Sequence, residues 1–135
     1  MKLRTALLTP VLALLLFGCK AGSNPEDLKP IQQQKVGDYN ISLLSETGTM
    51  KQGATTYTLE FRKAAGNQLA DVGKVDVSPV MEMAGMAPMM GGADVTPTGT
   101  PGRYTVKGNL TMAGLWKLNL RFGENQTARF SLSAE

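Results

Sequence analysis

The chain has 135 residues and a formal net charge of +3. Lys2 and Arg4 fall in a predicted signal peptide, and without them 12 basic side chains face 11 acidic ones. These charges are interspersed without a basic stripe, which excludes the electrostatic footprint of a nucleic-acid-binding protein. The chain has no histidine and one cysteine, so Cys/His and Ser/His/Asp nucleophilic sites cannot be built, and we expect no enzymatic activity.

Residues 1–18 have the pattern of a lipoprotein signal peptide. A basic start precedes an apolar stretch over residues 6–17, which is too short to span a bilayer alone. The stretch ends in Leu16-Phe-Gly-Cys19, which resembles a bacterial lipobox. We therefore predict that Cys19 is lipidated and that this lipid anchors the protein in the membrane of the cell envelope. Because Lys20 follows, and not the Asp that favours inner-membrane retention, the predicted location is the outer membrane, facing the periplasm.

Residues 19–37 are predicted to form a flexible tether. They are rich in Gly, Ser, Asn, Pro and Gln, including the run Gln32-Gln-Gln34. Such a segment cannot bury enough apolar surface to offset the entropy of ordering it. We expect it to hold a folded domain over residues 38–135 away from the membrane.

From residue 38 onward, apolar and polar residues alternate in short segments that are separated by Gly, Pro and Asn. Alternation with period two indicates half-buried strands. The sequence predicts an all-β fold, an antiparallel immunoglobulin-like β-sandwich of about seven strands, with Trp116 as a core anchor. The clearest alternating segments are 39–43, 57–61, 75–77, 103–110, 116–122 and 130–132.

Five methionines lie within ten residues, in the run Val80-Met-Glu-Met-Ala-Gly-Met-Ala-Pro-Met-Met90. Thioether sulfurs are soft, neutral ligands that suit Cu(I) or Ag(I) and suit Mg, Ca or Zn poorly. The Pro and Gly residues between them allow a turn that folds the sulfurs inward. The candidate metal ligands are Met81, Met83, Met86, Met89 and Met90, with Met112 from a later segment as a sixth.

Two other interpretations of these methionines stay open. In the first, they only fill the core, since Met81 and Met83 continue the core-facing parity of Val75, and Met112 shares the parity of Trp116. We expect Met81 and Met112 to be the core members of the set. In the second, an exposed Met-rich loop contacts a partner protein. Exposure is expected for the residues in the Pro/Gly-rich stretch: Met86, Met89 and Met90.

Four segments resemble the YtkA-like family of small exported domains, which is related to the FixH-like proteins: Val75-Asp-Val77, Met83-Ala-Gly-Met86, Pro101-Gly-Arg-Tyr104 and Leu110-Thr-Met-Ala-Gly-Leu-Trp-Lys-Leu118. The resemblance implies an immunoglobulin-like sandwich outside the cytoplasm. It also implies a role beside metal efflux, copper handling or oxidase maturation, with an efflux or oxidase-assembly protein as partner. Relatives often carry a histidine after the Met-Gly-Met turn, whereas Pro88-Met-Met90 follows here, so a mixed His/Met site is excluded.

The sequence thus predicts a non-enzymatic envelope lipoprotein that acts as an accessory module in copper or silver handling. The alternative is a structural or protein-interaction lipoprotein domain whose Met-rich loop packs internally or contacts a partner.

Overall fold

A computed structural model describes residues 27–135 of the chain. The predicted signal peptide (1–18) and the predicted lipidation of Cys19 therefore lie outside the described residues. No described segment forms a helix that could cross a bilayer. The described residues contain nine strands: β1 (Lys29–Val36), β2 (Tyr39–Ser45), β3 (Gly53–Lys63), β4 (Val75–Met81), β5 (Met89–Met90), β6 (Gly92–Pro97), β7 (Arg103–Leu110), β8 (Gly114–Phe122) and β9 (Gln126–Ala134).

The strands form two antiparallel sheets, and their order confirms the predicted β-sandwich. One sheet has the order β1-β2-β3-β7-β6, and the other has the order β5-β4-β8-β9. Strands β2-β3-β7-β6 and β4-β8-β9 correspond to the A-B-E-D and C-F-G sheets of an immunoglobulin-like fold. The described residues form nine strands, and not about seven, because β1 adds an edge strand to the first sheet and the two-residue β5 adds one to the second.

The core lies between the sheets and is built from the alternate, inward-facing side chains of the longer strands. Trp116 and Phe61 are fully buried, as the alternation predicts for both strands. The Phe61 ring lies 5.6 Å from the ring of Tyr104 and 5.1 Å from that of Phe122. Aromatic packing across the two sheets therefore takes the place of a bridging disulfide in the described domain.

The predicted tether over residues 19–37 is wrong for its second half. Lys29–Val36 forms β1, which pairs with β2 in the register Val36↔Tyr39 and Gln34↔Ile41. An edge strand is held by main-chain hydrogen bonds to one neighbour, so a polar sequence can form it with little burial. Ile31 and Val36 pack partly against the core. The folded domain therefore begins by residue 29 and not at residue 38.

Candidate methionine site

The pairing of β4 with β5 places the adjacent residues Met89 and Met90 on opposite faces of the sheet. Met81 pairs with Met89, and Val80 pairs with Met90. Directly opposite residues of an antiparallel pair project from the same face. Met89 therefore shares the inner face with Met81, which is 6% exposed, whereas Met90 lies on the outer face with 63% exposure. Neighbours in the sequence consequently point to opposite sides of the sheet.

A tight turn in the β4–β5 connection carries two more methionines. The Met86 amide donates a hydrogen bond to the Met83 carbonyl at 3.3 Å. Gly85 has a φ of +73°, a conformation that glycine adopts without a steric penalty. Met83 is half-buried and packs against the core, while Met86 is 68% exposed. Met83 and Met86 are therefore the first and last residues of the turn.

The three-residue connection between β7 and β8 contacts this hairpin. Thr111 Oγ1 donates a hydrogen bond to Met89 Sδ at 3.0 Å. Trp116 Nε1 donates to the Met112 carbonyl at 2.9 Å, and Gln52 Nε2 donates to the Thr111 carbonyl at 3.2 Å. Two methionine-bearing segments, residues 83–89 and residues 111–113, therefore meet at one end of the sandwich. We call these two segments the methionine end.

The prediction that Met112 belongs to the core is wrong. Its side chain is 43% exposed. The residue precedes β8, and Gly114 at the start of that strand has a φ of +133°, so the alternation set by Trp116 does not extend back to it. Met112 consequently contributes its carbonyl to the indole while its thioether faces solvent. The core position predicted for Met81 is confirmed.

Gly91 packs closely against the core at the end of the β4–β5 hairpin. Its amide donates to the Pro79 carbonyl at 2.9 Å. A Cβ at this position would lie 2.9 Å from the Asn109 carbonyl oxygen, 3.0 Å from Pro79 Cβ and 3.1 Å from Trp116 Cζ3. Only glycine lets the main chain approach the tryptophan ring this closely. The sequence pattern identifies Gly91 as a turn residue but not as a packing residue.

An ion pair lies beside the methionine end. Lys117 Nζ donates to Glu82 Oε2, and this hydrogen bond holds the pKa of the Glu82 carboxyl below its usual range. The charge of the carboxylate is therefore balanced by a neighbouring ammonium group. Among residues 27–135, no three His, Cys, Asp or Glu side chains are grouped in a way that could hold a metal ion.

The large exposed hydrophobic side chains of the described domain lie on this end or next to it along the chain. They are Met86, Met90, Met112 and Leu115. Sequence reasoning missed Leu115, although its parity with Lys117 on β8 could have indicated its outward position. It also missed Thr111 and Gln52, whose contacts are between residues distant in sequence and carry no local signal.

The six predicted ligands therefore divide by position. Met83, Met86, Met89 and Met112 lie on the two contacting segments of the methionine end. Met81 lies in the core, and Met90 faces outward on the opposite side of β5 from Met89.

The profile of the YtkA-like family matches residues 33–121, which include the whole methionine end. No curated protein matches the chain. Among solved structures, the ZirS C-terminal domain is similar at 14% identity with a TM-score of 0.42, over 99% of this chain and 87% of that one, which is a weak likeness. Since the family profile covers more than half of the sequence, the chain belongs to the YtkA-like family.

Proposed function

We propose that this YtkA-like domain is a non-enzymatic accessory module of the cell envelope that binds Cu(I) or Ag(I) through thioethers of the methionine end. Family membership supports a small exported β-domain. The observation that carries the metal proposal is the 3.0 Å contact between Thr111 Oγ1 and Met89 Sδ. This contact brings the segment that bears Met112 against the segment that bears Met89. A soft monovalent cation favours soft donors such as thioethers, and two contacting segments can supply several of them.

The proposed ligands come from the four methionines that share this end: Met83, Met86, Met89 and Met112. Met81 is left out because its side chain fills the core. It also packs tightly on Gly114, where a Cβ on the glycine would lie 3.1 Å from the Met81 methyl carbon. Met90 is left out because it projects from the other face of the sheet. The proposal thus uses four of the six candidate ligands that the sequence offers.

Neutral donors give this site a distinct pH response. Cys and His ligands must lose a proton before they bind a metal, whereas a thioether has no proton to lose. We therefore expect the affinity for Ag(I) to change little in mild acid. Glu82 is a hard ligand that pairs with Lys117, so we assign it no place among the donors.

The cellular setting of the proposal follows from the N-terminal sequence. Lipidation of Cys19 would anchor the domain to the outer membrane on the periplasmic side, and the segment that precedes β1 would link the anchor to the sandwich. In this position the domain would bind cuprous or silver ions near a metal-efflux or oxidase-assembly protein. Globomycin treatment, which blocks cleavage of lipoprotein signals, tests the anchor through accumulation of the uncleaved precursor.

An anaerobic Cu(I) titration of the full-length protein in detergent micelles, against a chromogenic chelator, tests the metal site. We expect stoichiometric binding that Met89→Leu weakens roughly tenfold or more, a loss of at least about 1.4 kcal/mol. Leucine keeps the apolar volume but removes the sulfur. Met90→Leu is the matched control, because it makes the same change one residue away on the opposite face.

Two results would contradict the proposal. Absence of competition with the chelator by the unaltered protein would rule out the metal site. Equal affinities of the Met89→Leu and Met90→Leu proteins would show that the ligands are assigned wrongly.

The exposed apolar side chains favour a second candidate function, contact with a partner protein. Leu115 is 60% exposed and has no sulfur, yet it directly follows the β7–β8 connection that bears the exposed Met112. Exposed apolar clusters mark contact surfaces in many soluble domains. For this function we expect Met86→Leu to preserve partner binding and Met86→Glu to abolish it. A metal-binding role predicts instead that either substitution weakens metal binding.

A further inference from the structure

The methionines of the described domain fall into two classes of solvent access. Met50 and Met81 are 1% and 6% exposed, respectively. Met86, Met90 and Met112 are 68%, 63% and 43% exposed. One folded chain thus carries protected thioethers in the core and accessible thioethers at or next to the methionine end.

Thioether oxidation by a peroxide requires access to the sulfur. A sulfur lone pair attacks one peroxide oxygen, and the O–O bond breaks. The sulfur is oxidised by two electrons to the sulfoxide, and the peroxide is reduced. The oxygen that stays on sulfur gives up its proton to the departing hydroxide, which leaves as water. The reaction turns a flexible apolar side chain into a polar one, and methionine sulfoxide reductases reverse it.

We propose that the exposed methionines form an oxidation site, where hydrogen peroxide converts Met86, Met90 and Met112 to sulfoxides while the domain stays folded. The new oxygen remains in water at each of these positions, so the fold loses no packing. Oxidation of Met50 or Met81 would instead bury a polar group without a partner, which is costly. Met89 reacts more slowly than Met90, because it is half-buried and its sulfur accepts the hydrogen bond from Thr111.

Oxidation would also regulate metal binding, and this consequence rests on the proposed function. A sulfoxide presents a hard oxygen where the thioether presented soft sulfur, so Met86 and Met112 would cease to serve as Cu(I) or Ag(I) ligands. The methionine end would then release its metal under peroxide stress and recover it after enzymatic reduction.

Peptide mass spectrometry of the folded, full-length protein treated with hydrogen peroxide tests the oxidation site. We expect Met86, Met90 and Met112 to oxidise roughly tenfold faster than Met50 and Met81, because reactivity follows exposure. The same protein in guanidinium chloride is the control, and there the rates should converge. A thermal unfolding transition that peroxide leaves unchanged would support oxidation within the folded state.

The proposal is overturned if Met50 or Met81 oxidises as fast as Met86, or if the exposed methionines stay reduced. A silver titration before and after peroxide separates this proposal from the proposed function. If the untreated protein fails to bind Ag(I), the metal site is wrong, while the oxidation site still depends on the mass spectra alone. If Ag(I) binding survives complete oxidation of Met86 and Met112, the regulatory consequence is wrong.

Discussion

The indole N–H of Trp116 donates a hydrogen bond to the carbonyl oxygen of Met112 at 2.9 Å. This bond connects the one tryptophan of the chain, which is fully buried, to a segment whose methionine side chain faces solvent. A movement of the main chain at Met112 would therefore alter the hydrogen bond of a residue in the core.

We expect Trp116 fluorescence to report metal binding. If Met112 moves to coordinate Ag(I), the hydrogen bond at the indole must change, and with it the emission of the single tryptophan. Titration with Ag(I) should change the emission of the Met90→Leu protein as it does that of the unaltered one, and should have less effect on Met112→Leu. Stoichiometric binding without any change in emission would place the metal away from the β7–β8 connection.

Truncation of two methionines should separate core from surface. Met81→Ala removes a buried side chain, and we expect it to lower the free energy of unfolding by about 2–5 kcal/mol. Met112→Ala removes an exposed one and should change that free energy by no more than about 0.5 kcal/mol. Urea unfolding of the two variants measures both. A large loss for Met112→Ala would mean that its side chain is packed in solution.

Adjacent glycines offer a second matched pair. Gly91→Ala would bring a methyl group within about 3 Å of the Asn109 carbonyl, Pro79 and the Trp116 ring, and we expect a loss of about 1–3 kcal/mol. Gly92→Ala brings its methyl group no closer than 4.0 Å to its nearest contact, Asn109 Cβ, and should be nearly neutral. Thermal unfolding of both variants measures the difference. Equal melting temperatures would show that the hairpin does not pack on Trp116 as described.

Glu60 should make the stability depend on pH. Burial alone raises the pKa of its carboxyl, but hydrogen bonds from Arg62 and from Arg103, the latter at 2.7 Å, outweigh burial and hold that pKa below its usual range. A lowered pKa means that the carboxylate stabilises the fold above the ordinary Glu pKa of about 4.3 and that this contribution is lost as the pH falls through the lower, folded value.

Urea unfolding of the unaltered protein and of Glu60→Gln across this acidic range measures the contribution. We expect the substitution to cost about 1–3 kcal/mol near neutral pH, since it removes hydrogen bonds between charged groups. The difference between the two proteins should shrink as the pH falls from the ordinary Glu pKa of about 4.3 to the lower, folded value. A difference that stays constant with pH would assign the loss to packing and not to charge.

Edge strands show where local patterns fail. The alternation of Trp116, Leu118 and Leu120 predicts β8 because each inward side chain is apolar. Strand β1 contains the polar run Gln32-Gln-Gln34, and β5 has only two residues. These strands depend on main-chain pairing with one neighbour, which a side-chain pattern does not encode.

The sequence by itself determined the all-β class, the immunoglobulin-like sandwich and the burial of Trp116 and Met81, because period-two alternation forces apolar side chains to one face. The family followed separately, from the resemblance of particular segments. Only the tertiary structure decided the fate of the other methionines. The pairing of Met81 with Met89 turns Met89 inward and Met90 outward. A hydrogen bond from Thr111, 22 residues away, brings the β7–β8 connection to Met89. Both relationships depend on how the strands pair, and no local spacing of residues specifies that register.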